Sequence, residues 1–434
     1  MRNEHQETLQ TVRVESEQVP ITLMFFRALV AGISLLGLLA IWNVAIDPYL
    51  LYGSPRLEGF NAYKTRFFFG QFQAKPRLLQ ETTPHHLVLG TSTAGGSLRP
   101  DHPGFRGQPA FNYALAGSPP AVQARALDEA LQLGTVRSII VCVDLFAYNA
   151  FLDQPLFRRW GRRESARDDP FEHWAFIRQD MESEIARLFQ WSTLKDSVGT
   201  FLDQRQPGAG GAFRDLRDDG FWQNPRPVAL TQLHMFQMVE RQYLATGWFP
   251  DPQRRFGFDD GLGRSTVGEL RELLLAARRA DVDVLVAVMP FHARYAEAMH
   301  EAGLWDDLDA LKRSLVGLAA DPEMKGGVRV WDFSGYHALS MDRVNGAATD
   351  TPWFEDAIHP SVATGDRMLR RMLEEPFGES EFGRLLEPAT LEASLAAAVS
   401  RRPDYQAANP ADVEDVRAVA QQTAHARLPR LPEN

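Results

Sequence analysis

Short apolar runs recur through the middle of the chain and are separated by amphipathic stretches. Five of them predict strands: residues 86–89, 109–113, 138–143, 282–288 and 328–331. Most lack the polar alternation of a half-exposed strand, and 138–143 reads Ser-Ile-Ile-Val-Cys-Val. Continuous β-branched runs of this kind are typical of strands that are buried on both faces of a parallel sheet.

The stretches between these runs have helical spacing. Apolar residues repeat every three or four positions in 121–133, 267–280 and 362–373, which predicts three helices. Strands that alternate with helices predict an α/β fold of three layers, a parallel sheet flanked by helices. Residues 151–264 interrupt this alternation, and we expect them to form a helical insertion above the sheet. From 381 to 434 we expect a peripheral helical tail.

One segment near the N-terminus departs from this globular pattern. Residues 28–46 form 19 positions without a charge, with Ser34 and Asn43 as the clearly polar members. About 20 apolar residues suffice to cross a bilayer core of about 30 Å. The segment therefore predicts one N-terminal transmembrane helix over 23–46, after a cytoplasmic tail of 1–22.

Two other interpretations of this segment compete with the anchor: a buried core helix and a cleaved signal peptide. The leader before it is about 20 residues long, carries no excess of basic residues and leads to no clean small-x-small cleavage site. A short tail before the anchor and a large domain after it favour a single-pass protein of the bacterial inner membrane, with that domain in the periplasm. Residues 47–83 then read as a juxtamembrane linker with a short helix.

Composition narrows the classes of function. The chain has 434 residues, of which 44% are hydrophobic and 24% charged, and a net charge of −10. This is the composition of a globular protein, and its acidity argues against a nucleic-acid partner. The single cysteine, Cys142, excludes an intramolecular disulfide framework. The sequence has no P-loop, no GxGxxG after a strand and no HExxH, so we predict no cofactor and no metal.

A hydroxyl residue directly follows the first predicted strand. The strand 86–89 leads into Gly90, Thr91 and Ser92. Ligands of open parallel sheets bind beyond the carboxyl ends of the strands, so Ser92 is a candidate nucleophile. The alternative is that a Ser or Thr here only caps the next helix.

An acid and a histidine follow the last predicted parallel strand. Asp356 precedes His359 by three positions, so one loop carries both side chains. A carboxylate in that position can hold one imidazole nitrogen while the other nitrogen faces a serine hydroxyl. The alternative is a helix-capping Asp beside an incidental His.

The two intervening strand ends carry further candidates. Asn112 through Gly117 follow the second strand, and Gly117 permits close approach of the backbone to a ligand. Asn149 follows the third strand, where a side-chain amide could donate to an oxyanion. His292 follows the fourth strand and is a candidate for substrate contact.

Taken together, these blocks resemble the SGNH (GDSL-type) hydrolase superfamily over about residues 84–375. The matches are Gly90-Thr91-Ser92, Asn112 to Gly117, Asn149, and Asp356 with His359. At Asn149 the usual GxND string of the family is missing and the spacing from the strand is one residue longer. The resemblance implies an SGNH/flavodoxin-like domain at 84–380.

The resemblance also implies roles for these residues. Ser92 would be the nucleophile, His359 the general base and Asp356 its orienting acid. The N–H groups of Ser92 and Gly117 and the Asn149 amide would form the oxyanion hole, and Asn112 would lie near the substrate.

The leader and the run 47–64 are similar to membrane-anchored bacterial SGNH-like proteins related to alginate-type O-acetylation. That similarity implies an esterase or O-acyltransferase acting on acyl, most simply acetyl, esters of envelope or extracellular polysaccharide. It also implies a membrane-bound acyl-transfer partner. A catalytically silent scaffold of a polysaccharide export complex and a lipid-ester hydrolase remain alternatives. Several tryptophans of the insertion are either a sugar-stacking platform or core packing: Trp160, Trp174, Trp191, Trp222 and Trp248.

Overall fold

A computed structural model shows an α/β fold built on a six-stranded sheet. It describes residues 21–152, 182–183, 185–205, 215–223, 231–250, 253–344, 351–374 and 382–425. The strands of the main sheet are β1 (His86–Leu89), β2 (Ala110–Asn112), β3 (Ser138–Val143), β6 (Asp283–Val288), β7 (Val328–Asp332) and β8 (Arg384–Leu386). A separate antiparallel pair consists of β4 (Asp215–Leu216) and β5 (Trp222–Gln223).

The main sheet has the order β2-β1-β3-β6-β7-β8. Its first five members are parallel, and β8 is antiparallel to β7. All five predicted strands are confirmed, whereas β8 was not predicted. The strand order reverses between β1 and β3, and this switch point is where open α/β sheets bind ligands.

Helices cover both faces of the sheet. The helices of the described ranges include α1 (Ile21–Ile46), α2 (Gln71–Thr82), α3 (Ser92–Gly95), α4 (Pro120–Leu131), α5 (Trp191–Asp203), α6 (Gln232–Gln242), α7 (Thr266–Arg279), α8 (Ala293–Glu301), α9 (Trp305–Ala320), α10 (Val362–Leu373), α11 (Leu391–Val399), α12 (Arg402–Ala408) and α13 (Pro410–His425). Neighbouring residues of β1 enter different clusters: Leu87 joins the large core with α4 and α7, and Val88 joins a second core with α10. The three-layer arrangement is therefore confirmed.

Helix α1 is long and apolar enough to cross a membrane. Most of its surface is exposed, which excludes the interpretation as a core helix. Its last turn, however, enters the fold, because Asn43 is buried and donates to the carbonyl of Leu188, 2.7 Å away. Helix α1 is thus continuous with the domain.

Two segments that the sequence placed at the periphery belong to the core. Residues 47–83 were expected to be a linker, yet Phe67, Phe72 and Leu78 are buried in the large cluster. The C-terminal helices, expected to be a tail, bury Leu395 and Val416 in the same cluster. In the described part of 151–264, the regular structure includes helices α5 and α6, a π-helical segment at Tyr243–Gly247 and the β4–β5 pair.

Candidate active site

The turn after β1 presents Ser92 and caps the following helix with its neighbour. Gly90 has φ of 152°, and a Cβ there would lie 2.7 Å from the Cβ of Cys142, so this position needs glycine. The Thr91 side chain accepts from the backbone N–H of Thr93 and is the N-cap of α3. Capping therefore occurs, but at Thr91, and it leaves the Ser92 hydroxyl available.

The structure brings Ser92, His359 and Asp356 into one hydrogen-bonded line. The Ser92 Oγ lies 2.9 Å from the His359 Nε2, although the two residues are 267 positions apart. The His359 Nδ1 lies 2.7 Å from the Asp356 Oδ2. With Nδ1–H donating to the carboxylate, Nε2 is left to accept the serine proton. This arrangement can turn a serine hydroxyl into a nucleophile.

The loop that carries Asp356 and His359 is held by hydrogen bonds within the loop. The other carboxylate oxygen of Asp356 accepts from the N–H groups of Ile358, at 3.0 Å, and His359, at 2.9 Å. Burial favours a higher pKa for Asp356, but attraction to the His359 ring and these hydrogen bonds outweigh it and hold the pKa below its usual range. Asp356 is therefore a charged, fixed partner for the imidazole at neutral pH.

Gly117 lies beside this line on a tight turn. The turn is closed by Ser118 N–H donating to the Leu115 carbonyl at 3.1 Å, and Gly117 at its third position has φ of 65°. A positive φ at this position is what a type II turn requires of glycine. Gln71 supports the turn from α2, because its Oε1 accepts from the Ala116 N–H at 3.1 Å. The Gln71 contact is one that sequence reasoning missed.

A buried carboxylate under the nucleophile turn was also missed. Asp144 follows β3, and its Oδ2 accepts from the Thr91 hydroxyl at 2.6 Å and from the Thr93 hydroxyl at 2.7 Å. Burial raises the pKa of Asp144, although these hydroxyls and the His359 ring favour the charged form. The Thr-Ser-Thr run after Gly90 was the available signal, since two hydroxyls flanking a nucleophile need an acceptor.

Ser92 and His359 open into a cavity of about 760 Å³. Gly117 and Ala116 also line it. Its remaining lining residues are mostly aromatic and aliphatic. They come from the segment after α1 (Phe68, Phe69, Gln71 and Phe72), from the turn after β3 (Phe146) and from the insertion (Leu152, Val239, Gln242, Tyr243, Thr246, Gly247 and Pro250). Residues outside the sheet therefore provide most of the walls.

The structure does not bring Asn149 into this site. Its amide nitrogen donates to the carbonyls of Trp248, at 2.9 Å, and Arg255, at 3.1 Å, and its oxygen accepts from Phe151 N–H. The expectation that Asn149 supplies an oxyanion donor is corrected here, because both amide hydrogens hold the insertion in place.

Asn112 and His292 also have structural partners. The Asn112 amide donates to the carbonyls of Ala94 and Leu98, both at 2.9 Å, and the residue is fully buried. His292 is fully buried too, and burial lowers its pKa to about 3. Its backbone N–H donates to Ala357 at 3.0 Å. His292 thus supports the loop that carries Asp356 and His359, and neither Asn112 nor His292 is placed to touch a substrate.

The tryptophans of the insertion do not form one platform in the described structure. Trp222 and Trp248 are buried in the core, whereas Trp191 is exposed on α5. Trp160 and Trp174 lie outside the described residues. Within the described ranges, no three His, Cys, Asp or Glu side chains are arranged to hold a metal ion.

Comparison with models of known protein families gives no match, and comparison with curated protein sequences gives no significant match.

Proposed function

We propose that the chain is a membrane-anchored serine esterase or O-acyltransferase of the SGNH type. The observation that carries this proposal is the Ser92–His359–Asp356 line, with distances of 2.9 Å and 2.7 Å, at the wall of a large cavity. The order of the three residues along the chain is that of the resemblance. A catalytically inactive scaffold would not need these three side chains to be hydrogen-bonded to one another.

In this mechanism Ser92 Oγ attacks the ester carbonyl carbon while His359 Nε2 takes the hydroxyl proton. The carbonyl oxygen becomes an oxyanion, for which the Ser92 and Gly117 N–H groups are the proposed donors. Collapse breaks the bond to the leaving alkoxide, which takes the proton from His359. Asp356 stays ionised and stabilises the imidazolium in between.

The acyl group is then bound to Ser92 as an ester. His359 takes a proton from a second hydroxyl, whose oxygen attacks the acyl carbon. The bond to Ser92 Oγ then breaks, and Ser92 Oγ takes the proton back from His359. Water in this role gives an esterase, and a sugar hydroxyl gives an O-acyltransferase. We propose acetyl esters of envelope or extracellular polysaccharide as substrates, with a membrane-bound acyl-transfer partner and the domain on the periplasmic side of the bacterial inner membrane.

A lipid ester is the second candidate substrate, because of one observation. Phe68 and Phe69 line the cavity, and the Phe69 ring meets that of Tyr49, three residues after the end of α1, with centroids 6.5 Å apart. Part of the apolar cavity wall therefore lies near the end of the apolar helix. An acyl chain would be well accommodated by such a wall, as would the apolar face of a sugar.

The test uses the full chain in detergent micelles. Wild-type protein should hydrolyse an activated acetyl ester and should be labelled by a serine-directed fluorophosphonate. Ser92→Ala should lose both. Ser97→Ala is the matched control, since its buried hydroxyl donates to the Thr93 carbonyl at 2.6 Å and has no contact with His359.

Three results discriminate between the candidates. Equal activity in Ser92→Ala would overturn the assignment of the nucleophile. Absence of labelling in folded wild-type protein would favour the scaffold. Comparing transfer to an oligosaccharide with hydrolysis of a phospholipid ester would separate the polysaccharide and lipid substrates.

A further inference from the structure

Helix α5 has the reverse of the usual distribution of polar and apolar residues. Its buried side consists of small polar residues: Thr193, Ser197 and Thr200. Its exposed side carries the large apolar residues, which we call the outer face: Trp191, Val198 and Leu202, with 77%, 41% and 54% of their surface exposed. These positions are separated by seven and four residues and so share one side of a helix. A helix in water normally buries such a face.

The position of α5 explains this reversal. Its buried side packs on the last turn of α1, where the Ser197 hydroxyl donates to Asn43 Oδ1 at 2.7 Å. Phe201 of α5 meets Trp42 of α1 edge-on, with ring centroids 5.6 Å apart. Trp42 lies near the end of the span, at the depth where interfacial aromatic residues occur. Helix α5 therefore lies at the level of the membrane–water boundary.

Hydrogen bonds between the end of α1 and the folded domain fix α5 at that level. The last carbonyls of α1 accept from side chains of the folded domain: Lys64 Nζ to Ile46 at 2.8 Å and Asn61 Nδ2 to Ala45 at 2.7 Å. Because these bonds satisfy the end of the helix, the domain is not free to turn about a flexible linker. The outer face keeps one orientation relative to the anchor.

We propose that the outer face of α5 is a second membrane-contact surface, which lies in the headgroup region of the bilayer that α1 crosses. A lipid surface fits better than a protein groove, because α5 packs on the last turn of the same apolar helix that is proposed to cross the bilayer. Lys195 lies on the same side of α5 and can extend its ammonium group to lipid phosphates while its stem stays among apolar groups.

Side-chain contacts connect α5 to the rim of the cavity that Ser92 and His359 line. The Tyr49 hydroxyl donates to Asp196 of α5 at 2.6 Å, and the Tyr49 ring meets Phe69 edge-on with centroids 6.5 Å apart. Phe69 lines the cavity and is largely exposed. Contact of α5 with lipid would therefore hold the cavity opening near the bilayer. The proposal rests on α1 crossing the membrane and is independent of the chemistry at Ser92.

The test places one fluorescent label at a time on the full chain in vesicles of phosphatidylethanolamine and phosphatidylglycerol. Leu202→Cys and Val198→Cys report the outer face, and Leu262→Cys is the matched control, a highly exposed leucine on a loop of the domain. The native Cys142 is fully buried. Treating the parent chain, in which Cys142 is the one cysteine, with the same label measures the background labelling. Nitroxide-bearing lipid should quench labels 198 and 202 several-fold more than label 262, and aqueous iodide should do the opposite.

Two outcomes would overturn the proposal. If iodide quenches labels 198 and 202 as strongly as it quenches label 262, the outer face is in water. Protection from iodide without quenching by the nitroxide lipid would show that protein covers it. Flotation of the chain with the vesicles separately reports the anchor, so a failure of α1 is distinguished from a failure of α5.

Discussion

Asp144 offers the sharpest perturbation of the site, because it contacts the turn that carries Ser92 but is not itself among the residues that line the cavity. One carboxylate oxygen accepts from the hydroxyls on either side of Ser92, at 2.6 Å and 2.7 Å. Asp144→Ala removes this acceptor and leaves two buried hydroxyls without it. Asp144→Asn keeps an oxygen that can accept both hydroxyls, removes the charge and replaces the other carboxylate oxygen by an NH₂ group.

The two variants should differ widely in stability. Each of the two buried hydroxyls left unpaired costs about 1–3 kcal/mol, and the small cavity adds about 1 kcal/mol, so Asp144→Ala should lose about 3–7 kcal/mol. That is a large part of the stability of a domain, usually about 5–15 kcal/mol. Asp144→Asn should stay within about 1 kcal/mol of wild type. Thr93→Val, which removes one donor at constant shape, should cost about 1–3 kcal/mol.

The effect of pH has a definite sign. Burial raises the pKa of Asp144, so over a range above the usual carboxyl pKa of about 4 the folded protein holds a proton that the unfolded chain has lost. Stability from this group therefore falls as pH rises through that range. Relative to Asp144→Asn, wild type should be less stable at neutral pH than at mildly acidic pH.

The assay is urea unfolding of the full chain in micelles, followed by tryptophan fluorescence at several pH values, with fluorophosphonate labelling of the folded protein. Asp144→Asn should still be labelled, whereas Asp144→Ala should be labelled slowly because the turn has lost its support. Equal stability of the Asn and Ala variants would refute the reasoning, since it would mean that the two hydroxyls do not depend on this carboxylate.

Three further substitutions separate chemistry from support. Asp356→Asn should lower kcat by about 10³–10⁴-fold in the activated-ester assay while the chain stays folded, because the imidazole loses its charged partner; a loss below tenfold would contradict the role. Gly117 and Gly134 both have a backbone φ near +65°, so Gly117→Ala and Gly134→Ala should each lose ~1–2 kcal/mol of stability. Of the two, Gly117 lines the cavity, so Gly117→Ala should also lose activity. Equal activities of the two variants would show that Gly117 is not part of the site. Asn149→Ala should lose about 2–4 kcal/mol with little change in kcat per folded molecule, whereas an oxyanion donor would show the reverse, a fall of about 10²–10³-fold in kcat at constant stability.

Local patterns predicted the sheet well because its strands are buried on both faces. In β3 and β6 nearly every residue is buried, so the apolar runs mark both strands and their ends almost to the residue. By contrast, β8 is a three-residue antiparallel strand at the sheet edge, and Arg384 and Leu385 in it are partly or largely exposed. So short and polar a strand leaves no periodic signal, and a helical tail was expected in its place.

The line from Ser92 to His359 was predictable for a topological reason. In a parallel sheet every strand ends at the same edge, so hydroxyl, imidazole and carboxylate residues at strand ends converge despite 267 positions between two of them. The direction in which a side chain points is a different matter. Asn149 lies at the expected edge, but its amide is turned toward the carbonyls of Trp248 and Arg255, which belong to a segment whose path no local pattern reveals.

Asp144 illustrates the remaining limit of sequence patterns. Its partners Thr91 and Thr93 are more than 50 positions away, and they meet it only because β1 and β3 are adjacent and in register. A carboxylate directly after a buried strand is compatible with many roles until the neighbouring strand is known. The register of the sheet, which depends on packing of the whole core, decides among them.

The division between sheet and surroundings determines how this site could acquire its specificity. The sheet ends supply Ser92, His359 and Asp356, whereas much of the cavity wall comes from the segment after the anchor and from α6. Helix α6 is itself held from behind: Glu240 pairs with the buried Arg294 of α8 at 2.7 Å, and Arg294 also pairs with Asp415 of α13 at 2.5 Å. Because this brace lies outside the cavity, wall residues such as Val239 can change without disturbing the catalytic line. In the proposed reaction, the choice of acyl group and acceptor should therefore depend on the segment after α1, the insertion and the C-terminal helices, and the bond-breaking chemistry on the sheet.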